Sequence, residues 1–135
     1  KDATGDLDRA TQEKEKMGND FILLTGEDVS ALEFNLRGGK GCISVTANIA
    51  PKLCSEFQEA SLAKNNDKLL SKAKEINKKL LPLHESLFLE SNPSPVKYAA
   101  SLLNLCLSDV RLPLVKVTKP TENTVKAAMV NAGIL

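Results

Sequence analysis

A chain of 135 residues, 42% apolar and 26% charged, fits one ordinary globular domain or a piece of a larger one. A formal net charge of +1 gives no electrostatic basis for holding nucleic acid or an anionic membrane surface. Four Phe, one Tyr and no Trp make no base-stacking platform, and no uninterrupted apolar run nears the roughly 20 residues that a membrane helix needs.

In chain order, "KDATGDL" opens on Lys1 and a Thr-Gly-Asp turn, and shows no starting methionine, basic leader or apolar signal run. A helix is predicted next. Asp6 is its cap, Asp8 lies in its first turn, Lys14 and Lys16 lie near its end, and Gly18 stops it. Acid first and base last complements the helix dipole. The interior "RATQEKEK" is polar enough to leave most of this helix in solvent. Arg9 and Glu13, four residues apart, can pair for roughly 0.2–0.5 kcal/mol.

"FILLTGED" follows. Phe21 to Leu24 is a short apolar run that does not alternate, closed by Thr25 and Gly26. That pattern predicts a strand buried on both faces, as in a parallel sheet. Asp28 leads into "VSALEFNLRGG", where Val29, Leu32 and Leu36 recur at helical spacing and Gly38 and Gly39 end the pattern. "GCISVTAN", with β-branched Ile43 and Val45, predicts a second buried strand. Helix, strand, helix, strand with short links is the order of repeating βα units.

After Asn48 the pattern turns wholly helical. "APKLCSEFQEASLAKN" tolerates Pro51 in its first turn and aligns Leu53, Phe57, Ala60 and Ala63. "DKLLSKAKEINKKLLPLHESLFLE" carries an apolar stripe of Leu69, Ala73, Ile76, Leu80 and Leu83, with lysines on the solvated face. Pro82 removes an amide donor there and is expected to kink the helix. "SNPSP" is a break, "VKYAASLLNLC" resumes as helix, and "RLPLVKV" is an extended connection. "TENTVKAAMVNAGIL" is a last helix, capped by Thr121 or the preceding loop, with Gly133 near its end. The expected organisation is therefore an α/β section over residues 1–48 and a helical section over 49–135. Two parallel strands cannot cover their own edges, so the first section is expected to belong to a larger βα assembly whose earlier strands lie outside this chain.

Functional groups in βα assemblies gather at the carboxyl ends of strands. Lys1, the "TGED" turn around Gly26, and "ISVTAN" from Ser44 to Asn48 hold such positions. A lysine there suits imine chemistry, in which a neutral amine attacks a carbonyl and the iminium draws electrons from a neighbouring C–H bond. It needs desolvation or a nearby cation to lower its pKa. Composition alone favours a solvated amine at Lys1. "RGGKG" precedes a strand, where a phosphate loop would follow one, so its glycines serve a helix end and a turn. Cys42, Cys54 and Cys106 form no CxxC pair. Their odd count without a secretory signal reads as reduced packing residues in the cytoplasm. His84 is the single histidine, structural or on the surface, and no metal site is expected.

Taken jointly, "KDATGDL", "LLTGED", "GGKGCISVTAN", "NPSPVKYA" and "RLPLVKV" stand in one specific order and spacing. Over essentially its whole length the chain resembles the C-terminal half of the dihydrodipicolinate synthase (4-hydroxy-tetrahydrodipicolinate synthase) family. These are pyruvate-dependent class I aldolases, related to N-acetylneuraminate lyase. The resemblance implies a (β/α)8 TIM barrel followed by a C-terminal helical domain. Lys1 would end the sixth strand, "FILLTG" would be the seventh and "GCISVTA" the eighth. Lys1 would be the catalytic Schiff-base lysine. Gly26 and Ile43 would line the pyruvate pocket, and Asn92 would lie near its mouth. "TGED" and "KDATGD" fit the synthase better than the neuraminate lyase.

The implied reaction condenses pyruvate with aspartate semialdehyde on the route to diaminopimelate and lysine, with no cofactor. The family is commonly a homotetramer, a dimer of dimers, and Leu7 lies on a segment that contributes to subunit contacts there. The family's threonine pair, two tyrosines, substrate-gripping arginine and lysine feedback site all precede the Schiff-base lysine, so none is on this chain. Ser94 stands where an apolar residue is usual, and the link before "KLLSKAKEINKKL" is slightly long. The chain by itself is expected to be inactive as a synthase, for want of proton relay and second-substrate grip. The alternatives are another pyruvate-lysine aldolase, such as N-acetylneuraminate lyase, or a non-catalytic half-barrel fragment.

Overall fold

The computed structural model describes all 135 residues. They form two compact units, Lys1–Ser44 with Leu53–Asn77, and Val45–Lys52 with Lys78–Leu135. Six α-helices occur: α1 (Leu7–Met17), α2 (Ala31–Leu36), α3 (Pro51–Leu62), α4 (Asp67–Ser86), α5 (Ser94–Leu102) and α6 (Lys119–Asn131). A 3₁₀ turn spans Thr46–Asn48.

The first unit is organised by three short segments lying side by side and parallel. They do not become the regular strands that the sequence predicts. Isolated parallel bridges join Asp2 to Thr25 and Thr25 to Cys42. The bonding explains why. Only the middle segment has a neighbour on each side, while the first turns away through Thr4 and the third runs into the 3₁₀ turn. The expected burial on both faces is also absent. Leu23 and Thr25 are buried, yet Ile22 is 67% exposed and Ile43 51% exposed. Only one face of these segments has helices against it, where Ala10, Leu23 and Phe34 form a core with Leu7 packed on it.

Helix α1 forms as the sequence predicts, because its signals are local. Asp6 accepts a hydrogen bond from the Asp8 amide (3.0 Å), and Gly18 closes the end by donating to the Lys14 carbonyl (3.0 Å). Arg9 meets Glu13 at 2.9 Å, and Ala10 is the one buried residue of the helix. The turn before it is fastened by Asp2. One carboxylate oxygen accepts from the Thr4 amide (2.7 Å) and hydroxyl (2.6 Å), and the other pairs with Arg9 Nε at 2.7 Å. The Thr4 hydroxyl and Arg9 together hold the Asp2 carboxyl well below the usual carboxylate range.

Helix α2 is shorter than its periodicity suggests. It begins after Ser30, so Val29 stays outside it and exposed. Asn35 is fully buried, and its Nδ2 donates to Gln58 Oε1 and Ser61 Oγ of α3, each at 2.8 Å. Cys54, Phe57, Ala60 and Ser61 form the buried stripe of α3. From α4 the unit takes buried Ala73 and Ile76. Helix α4 runs past Pro82 to Ser86, so the proline does not end it.

In the second unit, Leu80, Leu83 and Leu87 are completely buried, as are Val125 and Met129 of α6. His84 is structural. It is 2% exposed, and its Nδ1 lies 2.6 Å from the hydroxyl of Thr46. Helix α5 begins at Ser94 with Pro95 in its first turn, and ends at Leu102, earlier than the sequence suggests. The left-handed backbone of Asn104 (φ 57°) turns the chain, leaving Cys106 exposed, so this cysteine is not a packing residue. The "RLPLVKV" segment includes a turn, with the Leu114 amide donating to the Arg111 carbonyl at 3.0 Å. Helix α6 starts at Lys119 with Thr118, in the preceding loop, as its N-cap, the second of the two expected placements, and Thr121 is buried in its first turn.

Two stability outcomes follow from these contacts. The unfolded chain protonates Asp2 at about pH 3.9, whereas the native carboxylate stays charged to lower pH. Asp2 therefore stabilises the fold above about pH 4, and that contribution fades as pH falls further. Asp2→Asn should flatten the acid limb of a pH series of urea midpoints, and an unchanged limb would refute this. At the buried histidine, Thr46→Val should cost about 1–3 kcal/mol in equilibrium unfolding, with Thr46→Ser much milder. Equal stability of the two variants would show that the hydroxyl contributes nothing.

Candidate functional site

The register of the three parallel segments sets the site. The Asp2 amide donates to the Leu24 carbonyl at 2.8 Å, and the Gly26 amide to the Asp2 carbonyl at 2.6 Å. The Thr25 amide donates to the Gly41 carbonyl at 3.0 Å, and the Ile43 amide to the Thr25 carbonyl at 2.8 Å. Asp2, Thr25 and Cys42 are thus bridge partners on one face. Side chains alternate along extended backbone. Lys1, Ala3, Gly26 and Ile43 consequently share the opposite face.

Gly26 shows why that face needs a glycine. A methyl group at its Cβ position would collide with Lys1 Cε, and would lie 2.9 Å from Ala3 Cβ and 3.3 Å from Lys1 Nζ. The lysine side chain therefore runs over the space left by the missing side chain of Gly26. Lys1 and Ile43 are exposed, and Gly26 is half-buried. Beside Lys1 and Asp2, a groove of about 290 Å³ continues along Arg9 and Glu13 of α1 to Phe21. Three of the four residues singled out in the sequence, Lys1, Gly26 and Ile43, thus lie on one face of one unit. Asn92 belongs to the other unit, where it is exposed in the turn between α4 and α5.

The face carrying Asp2, Thr25 and Cys42 is chemically quiet. The Thr25 hydroxyl accepts from the Glu27 amide at 3.0 Å, and the Cys42 thiol donates to Asp28 at 3.6 Å. Burial first, and then the Asp28 charge, push the Cys42 thiol far up. The same two causes push Cys54 up to about 11. Both stay protonated at neutral pH, and a protonated thiol is a poor nucleophile. No group of three His, Cys, Asp or Glu side chains is placed to hold a metal ion. Sequence reasoning missed the Asp2–Arg9 pair, the Cys42–Asp28 contact and the role of Ala3 beside Gly26. None had a local signal, since each depends on a turn or a neighbouring segment.

Comparison with known proteins places this geometry. The family model described as "Dihydrodipicolinate synthetase family" matches residues 1–132. The 4-hydroxy-tetrahydrodipicolinate synthase of Pelagibacter ubique is 65% identical over the whole chain, which covers 46% of that protein. The synthase of Parvibaculum lavamentivorans is 53% identical, with 45% of it covered. The chain thus spans less than half the length of these relatives. The crystal structure of the chloride-inhibited dihydrodipicolinate synthase of Acinetobacter baumannii, complexed with pyruvate, superposes with a TM-score of 0.91 at 39% identity. That match covers all of this chain and 45% of the other. The fold is therefore part of the barrel architecture of those enzymes, present here as helices around single parallel bridges. With a family match across nearly every residue and relatives above half identity, the chain belongs to the dihydrodipicolinate synthetase family.

Proposed function

We propose that this chain is the C-terminal part of a 4-hydroxy-tetrahydrodipicolinate synthase, with Lys1 as its Schiff-base lysine. One observation carries the reading. The Lys1 side chain runs over Gly26, on the face that also presents Ile43, in a chain 65% identical to a synthase. In the chemistry proposed, the Nζ lone pair attacks the ketone carbon of pyruvate and water leaves. The resulting iminium accepts the electron pair of a methyl C–H bond as its proton departs, giving an enamine. The enamine carbon then attacks the aldehyde of aspartate semialdehyde. The semialdehyde's amine finally closes the ring at the imine carbon and expels the Lys1 amine.

Gly26 and Ile43 line the pyruvate pocket in this reading, and Asn92 stands near its mouth. Residues 1–48 supply the sixth to eighth barrel strands in outline, and 49–135 the helical appendage. The proton-handling and second-substrate groups belong to the preceding half, so the isolated chain does not turn over. A cytoplasmic homotetramer with Leu7 near a subunit contact accompanies the reading. The synthase names of the relatives above favour it over a neuraminate lyase.

Borohydride reduction of the complete enzyme with pyruvate, followed by peptide mapping, tests the assignment. The label should fall on Lys1 and disappear in Lys1→Arg, and a label on any other lysine refutes it. Gly26→Ala provides a sharper measure. The added methyl displaces the lysine arm, a flexible group, and also presses at 2.9 Å on Ala3 Cβ, which is fixed to the backbone, so the Lys1–Ala3 segment must shift by a few tenths of an ångström as well. Trapping with pyruvate should slow by about 100-fold, the scale expected of an ångström-level misplacement. A Gly26→Ala enzyme that traps normally would show that the close approach of Lys1 has no role.

A further inference from the structure

Imine formation uses a lysine in its neutral form, and a carboxylate close by favours the ammonium. Lys1 has such a carboxylate as its immediate neighbour, Asp2. The structure turns that group away. Asp2 belongs to the face shared with Thr25 and Cys42, while the Lys1 side chain runs over Gly26 on the other. The Asp2 backbone is fixed twice to the middle segment, by its amide to the Leu24 carbonyl (2.8 Å) and by the Gly26 amide to its own carbonyl (2.6 Å). The Asp2 side chain accepts from the Thr4 amide and hydroxyl on one oxygen, and from Arg9 Nε on the other at 2.7 Å. The bond from Asp2 and then its charge, with Glu13 adding to them, raise the Arg9 guanidinium above its ordinary value. Arg9 Nη2 also reaches Glu13 at 2.9 Å. One guanidinium thus answers both carboxylates that line the groove beside Lys1. The middle segment adds only Phe21, Leu23 and Leu24 to that groove, and the third presents Ile43 on the Lys1 face. The Asp2, Arg9 and Glu13 contacts all lie within residues 1–26 of one unit.

From this geometry we infer that Arg9 is a positioning residue for Lys1, acting through Asp2: it draws the Asp2 carboxylate to the far face and balances its charge, which leaves the amine free to attack a carbonyl. The inference deepens the proposed function and rests on its reading of Lys1 as the imine-forming lysine. Without Arg9, the Asp2 carboxylate keeps its bonds to Thr4 but loses its counter-ion. Lys1 is then the one cation that still lines the groove with it. An ammonium held by that charge has no lone pair for the ketone carbon, and raising the pH removes its proton again. The loss therefore depends on pH, whereas a merely displaced segment would slow capture at every pH.

The test is borohydride trapping of the complete enzyme with saturating pyruvate, followed against pH and referred to the wild type at each pH. Arg9→Gln keeps most of the side-chain length and removes the charge. Its trapping at neutral pH should fall about tenfold, the equivalent of a profile moved up by about one pH unit, and should rejoin the wild type at higher pH. Arg9→Lys keeps a cation beside Asp2 and should stay within about twofold of the wild type. Adding Asp2→Asn to Arg9→Gln removes the carboxylate and should restore most of the lost rate, so the two changes are far from additive. A loss of equal size at every pH, or one that Asp2→Asn does not relieve, would reduce the Asp2–Arg9 pair to a turn fastening and overturn the proposal. Restoration by Glu13→Gln in place of Asp2→Asn would overturn it too. If the wild-type label maps to Lys1 and Arg9→Gln traps normally throughout, the Arg9 proposal alone fails. If the label maps to another lysine, the Schiff-base reading fails and the proposal falls with it.

Discussion

Five backbone hydrogen bonds among residues 2–43 hold three parallel segments in one register, and the candidate site depends on that register. A slip of one residue would exchange the two faces, since the side-chain period of extended backbone is two. Lys1 would then point where Asp2 now meets Arg9, and Gly26 would no longer lie beneath a lysine arm. The short bond from the Gly26 amide to the Asp2 carbonyl (2.6 Å) sits at the centre of this arrangement. At this position Gly26 has no side chain, and a Cβ there would collide with Lys1 and Ala3 of the neighbouring segment.

The two faces divide the chemistry between them. On one, every polar group is closed in local bonds. Asp2 is held by Thr4 and Arg9, Thr25 by the Glu27 backbone, and Cys42 by Asp28. These groups order the turns and stay out of reaction, and the raised thiols are the clearest sign of it. The other face carries the Lys1 amine, Gly26 and the exposed Ile43 side chain. The exposed Ile22, Phe21 and Ile43 belong to segments whose relatives carry more than half of their length outside the region matched here. Unpaired parallel edges are unusual in a complete sheet, which agrees with a chain that spans part of a barrel protein.

Elements whose signals are contiguous were legible in the sequence. Helix α1 could be read from cap to stop because Asp6, Asp8, Lys16 and Gly18 all act within its own turns. Most of the α4 stripe could be read because one apolar face repeats at the helical period, but in α3 only Phe57 and Ala60 are buried as expected, with Cys54 and Ser61 buried in place of Leu53 and Ala63. Errors arose where a neighbour decides. Val29 fits the α2 period but lies outside the helix, because the chain turns at Ser30 first. The "FILLTG" run looks buried on both sides, although only one side is covered here. His84 offered no hint of its buried bond to Thr46, 38 residues away. Glu90 likewise gave no sign that it would accept hydrogen bonds from Thr118, the N-cap of α6.

The sequence by itself determined where most of the helices lie and the family, because caps, periodicity and motif spacing are properties of adjacent residues. It also singled out Lys1, Gly26, Ile43 and Asn92, through five motifs matched in order. Only the tertiary structure decided that the first three share a face, that the expected strands reduce to single bridges, and that Glu90 clasps Thr118. Each of these depends on hydrogen bonds between residues far apart in the chain. Such bonds are set by which segments lie side by side, and a linear pattern of residue types does not encode that distance.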